Sequence, residues 1–265
     1  IMTTEVANMI IEKIDRILND NIFEGINIHY FGGEPLLNIP VLIYLDENIK
    51  KITDKIGIVY KAFLTTNGSM LSKELLQKVK FSSIQLTFDG LEKTHDRLRV
   101  SDHFHFKEEI ELIENIMNFS QAKVLLRTNI CKENKDEIIA LHKYIFEKFG
   151  NERIEINPNR TIKYHQDDSF EMLSVQEYAE VAYQIKLLWS EQKGKFELPV
   201  PRSTPCKFPY GNAYAISPEG YCTFCSGSMD QEKKYFFDVD IENKKMFSVR
   251  KECKKCNILP LCLGG

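Results

Sequence analysis

Cysteine is the residue type placed most unevenly along this chain. Of seven cysteines, Cys131 stands alone in the first two hundred residues, whereas Cys206, Cys222, Cys225, Cys253, Cys256 and Cys262 crowd the end. Thiolates at C-x2-C spacing hold soft metals, and Cys222/Cys225 with Cys253/Cys256 form the paired arrangement of a tetrahedral Zn(Cys)4 site. Four thiolates hold a [4Fe–4S] cluster equally well. Zinc would leave Cys206 and Cys262 idle, and six thiols are too many for one such site and too few for two. A secreted disulfide framework does not fit one cysteine-poor region followed by one crowded tail, so metal or cluster ligation is expected. Cys131 reads as a small buried residue at a strand end.

A second group of polar residues lies upstream, in "YFGGEPLL", "LTTNG", "LTFDG" and "LLRTNI". Gly32-Gly33 let backbone approach a ligand closely, and Glu34 offers a carboxylate suited to an ammonium group. Thr65, Thr66 and Asn67 precede Gly68 much as Thr87 and Asp89 precede Gly90. Arg127 and Asn129 share one extended segment, where a buried guanidinium would want a carboxylate partner. Each stretch alone is also an ordinary turn or a fold-stabilising pair, because Asn-Gly and Asp-Gly mark turns wherever they occur. Brought together, they would surround one concave spot fit for a zwitterionic, nucleoside-like ligand.

The intervening segments explain how they could meet. Val6, Ile10, Ile14 and Ile17 recur at helical spacing behind Thr3 and Thr4, and "INIHYF" (26–31) then reads as a strand. Further strands are expected in "IGIVYKAFLTTN" (56–67), "SSIQLTFDG" (82–90), "KVLLRTNI" (123–130) and "RIEINP" (153–158), with helical patterns between them. Gly150 is expected to cap the helix of Ile138–Phe149 in a left-handed conformation. Strands alternating with helices imply βαβ units and a parallel sheet, whose carboxyl edge carries the ligand site. The pattern opens on a helix, so one more strand is expected before Ile1. Neither G-x-G-x-x-G nor G-x-x-x-x-G-K-[ST] occurs, which removes support for a dinucleotide or P-loop site.

Composition is that of an ordinary soluble chain, with 43% hydrophobic and 28% charged residues over 265 positions. A net charge of −3 gives no reason to expect nucleic acid as a partner, and no apolar run suits a membrane span. A cytoplasmic location is expected.

The motifs in their order, "YFGGEPLL", "TTNG", "LTFDG" followed by "THDRLR", and then the cysteine-rich tail, resemble the radical S-adenosylmethionine enzymes that carry a SPASM extension. That family includes peptide maturases and anaerobic sulfatase maturases, and the resemblance covers almost the whole chain. It implies an α/β fold, a partial (β/α)6 barrel lacking its first strand, followed by a SPASM domain. It gives Gly32, Gly33 and Glu34 the methionine amino group, Thr87 and Asp89 the ribose, Arg127 the methionine carboxylate, and Asn67 a place in the same wall. It also implies S-adenosylmethionine and [4Fe–4S] clusters as cofactors, a peptide or protein substrate and an external electron donor. The family holds its radical cluster with C-x3-C-x2-C after the first strand; these 265 residues contain no such motif, and it is expected before Ile1. The chain as it stands is therefore expected not to cleave the cofactor.

The same resemblance orders the tail. Cys206, Gly220 and Cys225 fit the family's C-x9–15-G-x4-C, and Cys253, Cys256 and Cys262 supply three ligands of its C-x2-C-x5-C-x3-C, the fourth being expected beyond Gly265. Cys206 and Cys225 then belong to auxiliary cluster I and Cys253, Cys256 and Cys262 to auxiliary cluster II, with Cys222 either an extra ligand of the first or a bystander. Zinc remains open for the chain as given. Three regions are expected: 1–160 the partial barrel, 161–199 a linker with a helix opened by the Ser174/Glu177 capping box, and 200–265 the auxiliary-cluster domain. His103 and His105 read as exposed loop residues, and the basic residues of "HDRLR" (95–99) as organisers of their loop. The implied activity is hydrogen abstraction by a 5′-deoxyadenosyl radical, ending in a thioether or carbon–carbon crosslink in a ribosomally made peptide. Sulfatase maturation is the close alternative, and a non-enzymatic zinc-ribbon binding protein is the alternative from another class.

Overall fold

A computed structural model describes residues 1–20, 22–150, 153–163, 170–194, 213–223, 234–239 and 251–255. Cys206, Cys225, Cys256 and Cys262 lie outside them. The chain divides into two compact units, one of Glu24–Asp46 with Ile58–Phe196, the other of Ile1–Phe23, Glu47–Gly57 and Glu197–Gly265.

The larger unit is built on five strands: β1 (Gly25–Tyr30), β2 (Val59–Thr65), β3 (Phe81–Thr87), β4 (Lys123–Ile130) and β5 (Ile154–Arg160). They lie in the order β1-β2-β3-β4-β5, every neighbouring pair parallel, as the alternation of strand and helix implies. The connections carry α2 (Ile39–Ile56), α3 (Lys73–Lys78), α4 (Glu92–Leu98), α5 (Phe106–Phe119) and α6 (Lys135–Phe149), and α7 (Val175–Lys193) follows β5.

β4 shows why this sheet has a working face. Val124, Leu126, Thr128 and Ile130 are buried, and the alternate residues Lys123, Leu125, Arg127 and Asn129 are not. Val124, Leu126 and Ile130 share the core with Ile113 and Ile116 of α5 and with Ile138, Leu141 and Ile145 of α6. A parallel sheet normally covers both faces with apolar side chains. Here the second face carries Thr65, Gln85, Arg127, Asn129, Asn157 and Asn159, in rows set by the strand register. Such a face suits a polar ligand.

Buried polar pairs lock α7 to this unit. His142 of α6 meets Thr128 Oγ1 through Nε2 (3.1 Å) and accepts from Trp189 Nε1 through Nδ1 (3.1 Å). Trp189 N–H can only donate, so Nδ1 is the acceptor and the proton sits on Nε2. Complete burial pushes the His142 pKa down to about 3, so the ring stays neutral. Tyr178 Oη donates to Pro158 O (2.7 Å) and Lys193 Nζ to Ile154 O (2.7 Å). The helix opens on the expected capping box, with Glu177 N donating to Ser174 Oγ and Ser174 N to Glu177 Oε2.

One glycine behaves differently from its expectation. Gly150 is not left-handed, with φ at −42°; a Cβ there would stand 2.5 Å from Phe146 O, so absence of a side chain, not φ, is what the site requires. The left-handed cap falls at Gly194, φ 62°, where α7 ends.

In the smaller unit α1 (Thr4–Asp20) buries Ala7, Ile10, Ile14 and Leu18, one stripe at helical spacing. It meets the short turn Phe236–Asp238: Lys13 Nζ donates to Phe237 O and Val239 O (both 3.0 Å), and the Arg16 guanidinium lies 4.8 Å from the Phe237 ring centre. This unit also holds three short antiparallel strands, β6 (Ala215–Ile216), β7 (Tyr221–Thr223) and β8 (Lys234–Tyr235), the part of α2 from Glu47 onward, and the turn Lys251–Lys255. No helix among the described residues is long and apolar enough to cross a membrane.

Candidate functional site

The carboxyl ends of β1 to β4 bring together the polar motifs read from the sequence. After β1 the chain turns through Gly32, whose φ of 149° disfavours any residue with a side chain. Gly33 has no such constraint. A Cβ at Gly32 or Gly33 would meet no described atom within 4 Å, and both residues are exposed. Packing against the described residues therefore gives no reason for the missing side chain of Gly33.

Glu34 follows, half-buried, its carboxylate drawn across to the end of β2. Oε1 accepts from Leu36 N (3.0 Å) and from Thr66 Oγ1 (2.7 Å), and Oε2 accepts from Asn67 N (2.7 Å). An ionised carboxylate offers about four acceptor positions, so one remains on Oε2. Thr66 also accepts from Gly68 N (3.0 Å), and Asn67 Oδ1 takes Ser69 N (2.9 Å) and Ser69 Oγ (2.8 Å). Gly68 is fixed by its φ of 87° and by Leu112 Cδ2, 2.6 Å from where a Cβ would stand.

At the end of β3, Thr87 lies in register with Arg127, and both are partly or fully covered. Asp89 is only 7% exposed, and protein donors occupy both of its oxygens. Oδ1 accepts from Asn129 N (2.9 Å); Oδ2 accepts from Arg99 Nη1 (3.2 Å) and, at 3.5 Å, from Asn129 Nδ2. Its carbonyl takes Asn134 Nδ2 (2.8 Å), which also reaches Asn129 O (2.9 Å). Arg127 has an amide where a carboxylate was expected: Nε donates to Asn129 Oδ1 (2.9 Å), and among the described residues it forms no ion pair.

Behind Asp89 lies a buried acid–imidazole pair. Asp89 N donates to His95 Nδ1 (3.4 Å), which leaves the proton on Nε2, 3.2 Å from Glu109 Oε2. The rings of Phe88 and Phe106 flank His95 at 5.5 and 5.7 Å. Burial pushes the His95 pKa down to about 4 and that of Glu109 up to about 8, so both are neutral at pH 7. Glu109 Oε1 has no partner among the described residues.

Asn134 and Glu109 thus join the residues singled out by sequence, and Thr66, Asn129, His95 and Arg99, already within the motifs, gain defined partners. "THDRLR" held part of the signal, since His95 and Arg99 are one helical turn apart. Arg97 reaches Glu133 (2.7 Å), and His105 caps α5, its N–H donating to Glu108 Oε2 (3.0 Å). Cys131 is buried, as expected.

Of the six tail cysteines, two are described. Cys222 is buried in β7, where burial pushes its thiol up to about 11, and Cys253 is half-covered in the turn Lys251–Lys255. Metal ligation would require their thiolates.

No family model matches the sequence, and no curated protein does. Solved structures match in fold. The structure of native anSMEcpe with bound AdoMet and Cp18Cys peptide superposes with a TM-score of 0.75 at 18% identity, covering 100% of this chain and 81% of the other. Streptococcus suis SuiB bound to S-adenosylmethionine gives 0.56 at 18% identity, over 87% of this chain and 56% of the other. Coproporphyrinogen III oxidase (HemN) from Escherichia coli, described as a radical SAM enzyme, gives 0.50 at 12% identity, over 72% and 46%. The fold is therefore one found among radical SAM enzymes, in agreement with the resemblance carried by the motifs.

Proposed function

We propose that this chain binds S-adenosylmethionine at the carboxyl edge of its parallel sheet and belongs to a radical SAM enzyme that modifies a peptide or protein. The observation that carries the reading is Gly33, a glycine that no described neighbour requires, set directly beside a carboxylate with an acceptor position left. The residues fit the ligand: Glu34 would take the methionine ammonium, Arg127 the carboxylate, and Gly32-Gly33 would let backbone close on the amino-acid end. Two of the matched structures are described as holding a peptide or the same cofactor, which supports a peptide substrate.

When bound and reduced, the cofactor supplies hydrogen-atom abstraction from an unactivated carbon. The chain's own part is to bind and orient. Glu34 fixes the loops after β1 and β2 to one another, so the ammonium position is set before ligand arrives. No C-x3-C-x2-C is present in these residues, and no step is assigned to them through a radical cluster.

Beyond this, the reading is a maturase that crosslinks a ribosomally made peptide through a thioether or carbon–carbon bond, fed by an external electron donor, with sulfatase maturation as the close alternative. Cys206, Cys222, Cys225, Cys253, Cys256 and Cys262 are assigned to auxiliary [4Fe–4S] clusters. Matched iron and acid-labile sulfide would support that assignment; about one zinc without sulfide would replace it.

The binding test uses Gly33→Val. Calorimetry should show at least about tenfold weaker S-adenosylmethionine binding, with the melting temperature unchanged, because the added side chain meets no described neighbour. Equal binding by the variant, or none by the wild type, would overturn the reading.

A further inference from the structure

Resting on that binding reading, we infer that Asp89 and Asn129 form a positioning relay for Arg127, and that Asp89 acts through this relay and not by touching the ligand's ribose. The geometry assigns each member its task. Arg127 Nε is fixed by Asn129 Oδ1 at 2.9 Å. A guanidinium fixed at Nε presents its two terminal nitrogens as a fork, the arrangement that receives a carboxylate bidentately.

Asn129 in turn cannot move freely. Its N–H and its side-chain Nδ2 both reach the Asp89 carboxylate, at 2.9 and 3.5 Å, and its carbonyl takes Asn134 Nδ2 at 2.9 Å. The side-chain amide is thereby oriented: nitrogen towards Asp89, oxygen towards Arg127. Asp89 is anchored from the other side by Arg99 Nη1 (3.2 Å) and by its own N–H on His95 Nδ1 (3.4 Å).

A direct ribose contact by Asp89 is the competing role. It would need a carboxylate oxygen facing open space, and this one is 7% exposed with three protein donors on it. The two roles predict different ligand dependence. A positioning relay matters only for ligands with an α-carboxylate. A ribose contact matters for every ligand with the nucleoside.

The test measures binding of S-adenosylmethionine and of 5′-methylthioadenosine, which keeps the nucleoside and lacks the amino-acid end, to the 265-residue chain by calorimetry. Asn129→Ala and Asp89→Asn should each weaken S-adenosylmethionine by about tenfold, the scale of one charge-assisted hydrogen bond, and leave 5′-methylthioadenosine within about twofold. In an Arg127→Ala background, Asn129→Ala should cost nothing further. Equal losses on both ligands would overturn the relay and return Asp89 to the ribose. Additive losses for Asn129→Ala and Arg127→Ala would overturn it as well. If the wild type bound 5′-methylthioadenosine but not S-adenosylmethionine, Glu34 and Arg127 would not form an amino-acid site, and the binding reading itself would fall. Circular dichroism and urea midpoints of each variant separate loss of binding from loss of fold.

Discussion

Replacing Glu109 with glutamine should change how stability depends on pH, and the size of the change follows from the burial of one pair. Glu109 ionises near 4.5 in an unfolded chain and near 8 in the folded one, because burial disfavours its charge. Between those values the folded state holds a proton that the unfolded state has released. The contribution of Glu109 to stability therefore falls as pH rises through the window, by about 1.4 kcal/mol per unit for one proton. From pH 5 to pH 8 the loss is about 4 kcal/mol. A buried ion pair with His95 is disfavoured by geometry: an imidazolium would carry a proton on Nδ1, pointing at the Asp89 N–H 3.4 Å away, donor against donor. The glutamine variant has nothing to titrate there, so its stability relative to wild type should rise by about 4 kcal/mol between pH 5 and pH 8. Urea unfolding of both proteins at pH 5, 6.5 and 8 would measure it, with the slope m unchanged. A variant less stable by a constant 3 to 5 kcal/mol at all three pH values, the mark of a lost buried ion pair, would refute the reasoning (that range being roughly what such pairs cost).

The wild type should be most stable near pH 6.5. Below that value His95 and His142, both lowered by burial, cost stability together and outweigh the gain from Glu109; above it Glu109 alone acts, so a midpoint scan should peak there. Gly68→Ala should destabilise by about 2 kcal/mol or more, given its φ of 87° and the Leu112 contact, whereas Gly33→Ala should stay within about 0.5 kcal/mol by the same urea assay. Trp189→Phe leaves His142 Nδ1 without its donor in a buried site, so about 1 to 3 kcal/mol should be lost, and amide exchange in α7 should quicken before exchange in β4.

What could be read from the sequence was whatever the backbone encodes locally. The first three strands came from apolar runs ended by glycine, and the capping box of α7 from two residues three apart, because each signal is complete within a few positions. Gly150 shows the limit. A glycine after a helix usually marks a left-handed turn, but here the crowding comes from Phe146, which the glycine folds back against, and no local pattern reports that. The pair His95–Glu109 was hidden for a related reason. Each residue looks like a solvated helix position in its own segment, and only the packing of α4 on α5 between Phe88 and Phe106 makes them face one another. Asn129 was visible as a residue and not as a function, since its role depends on Asp89, forty positions earlier.

Glu34 and Asp89 make the same point in chemical terms. Both are carboxylates that follow a strand of the same sheet, and by composition and spacing either could face a ligand. The fold supplies three donors to each and separates them by how far it buries them. Three hydrogen bonds leave the half-exposed Glu34 with an acceptor position and a route to solvent. Three on a nearly buried Asp89 leave its charge answered by Arg99 and its geometry set by Asn129. A buried carboxylate needs protein donors to offset its desolvation, so burial behind such donors is the condition for a positioning role. A ligand-binding carboxylate needs the reverse, a site left partly unsatisfied at the place where the ligand's donor will arrive. Exposure, not the number of donors, therefore separates the two carboxylates: it suits Glu34 to the proposed ammonium contact and Asp89 to the proposed positioning role.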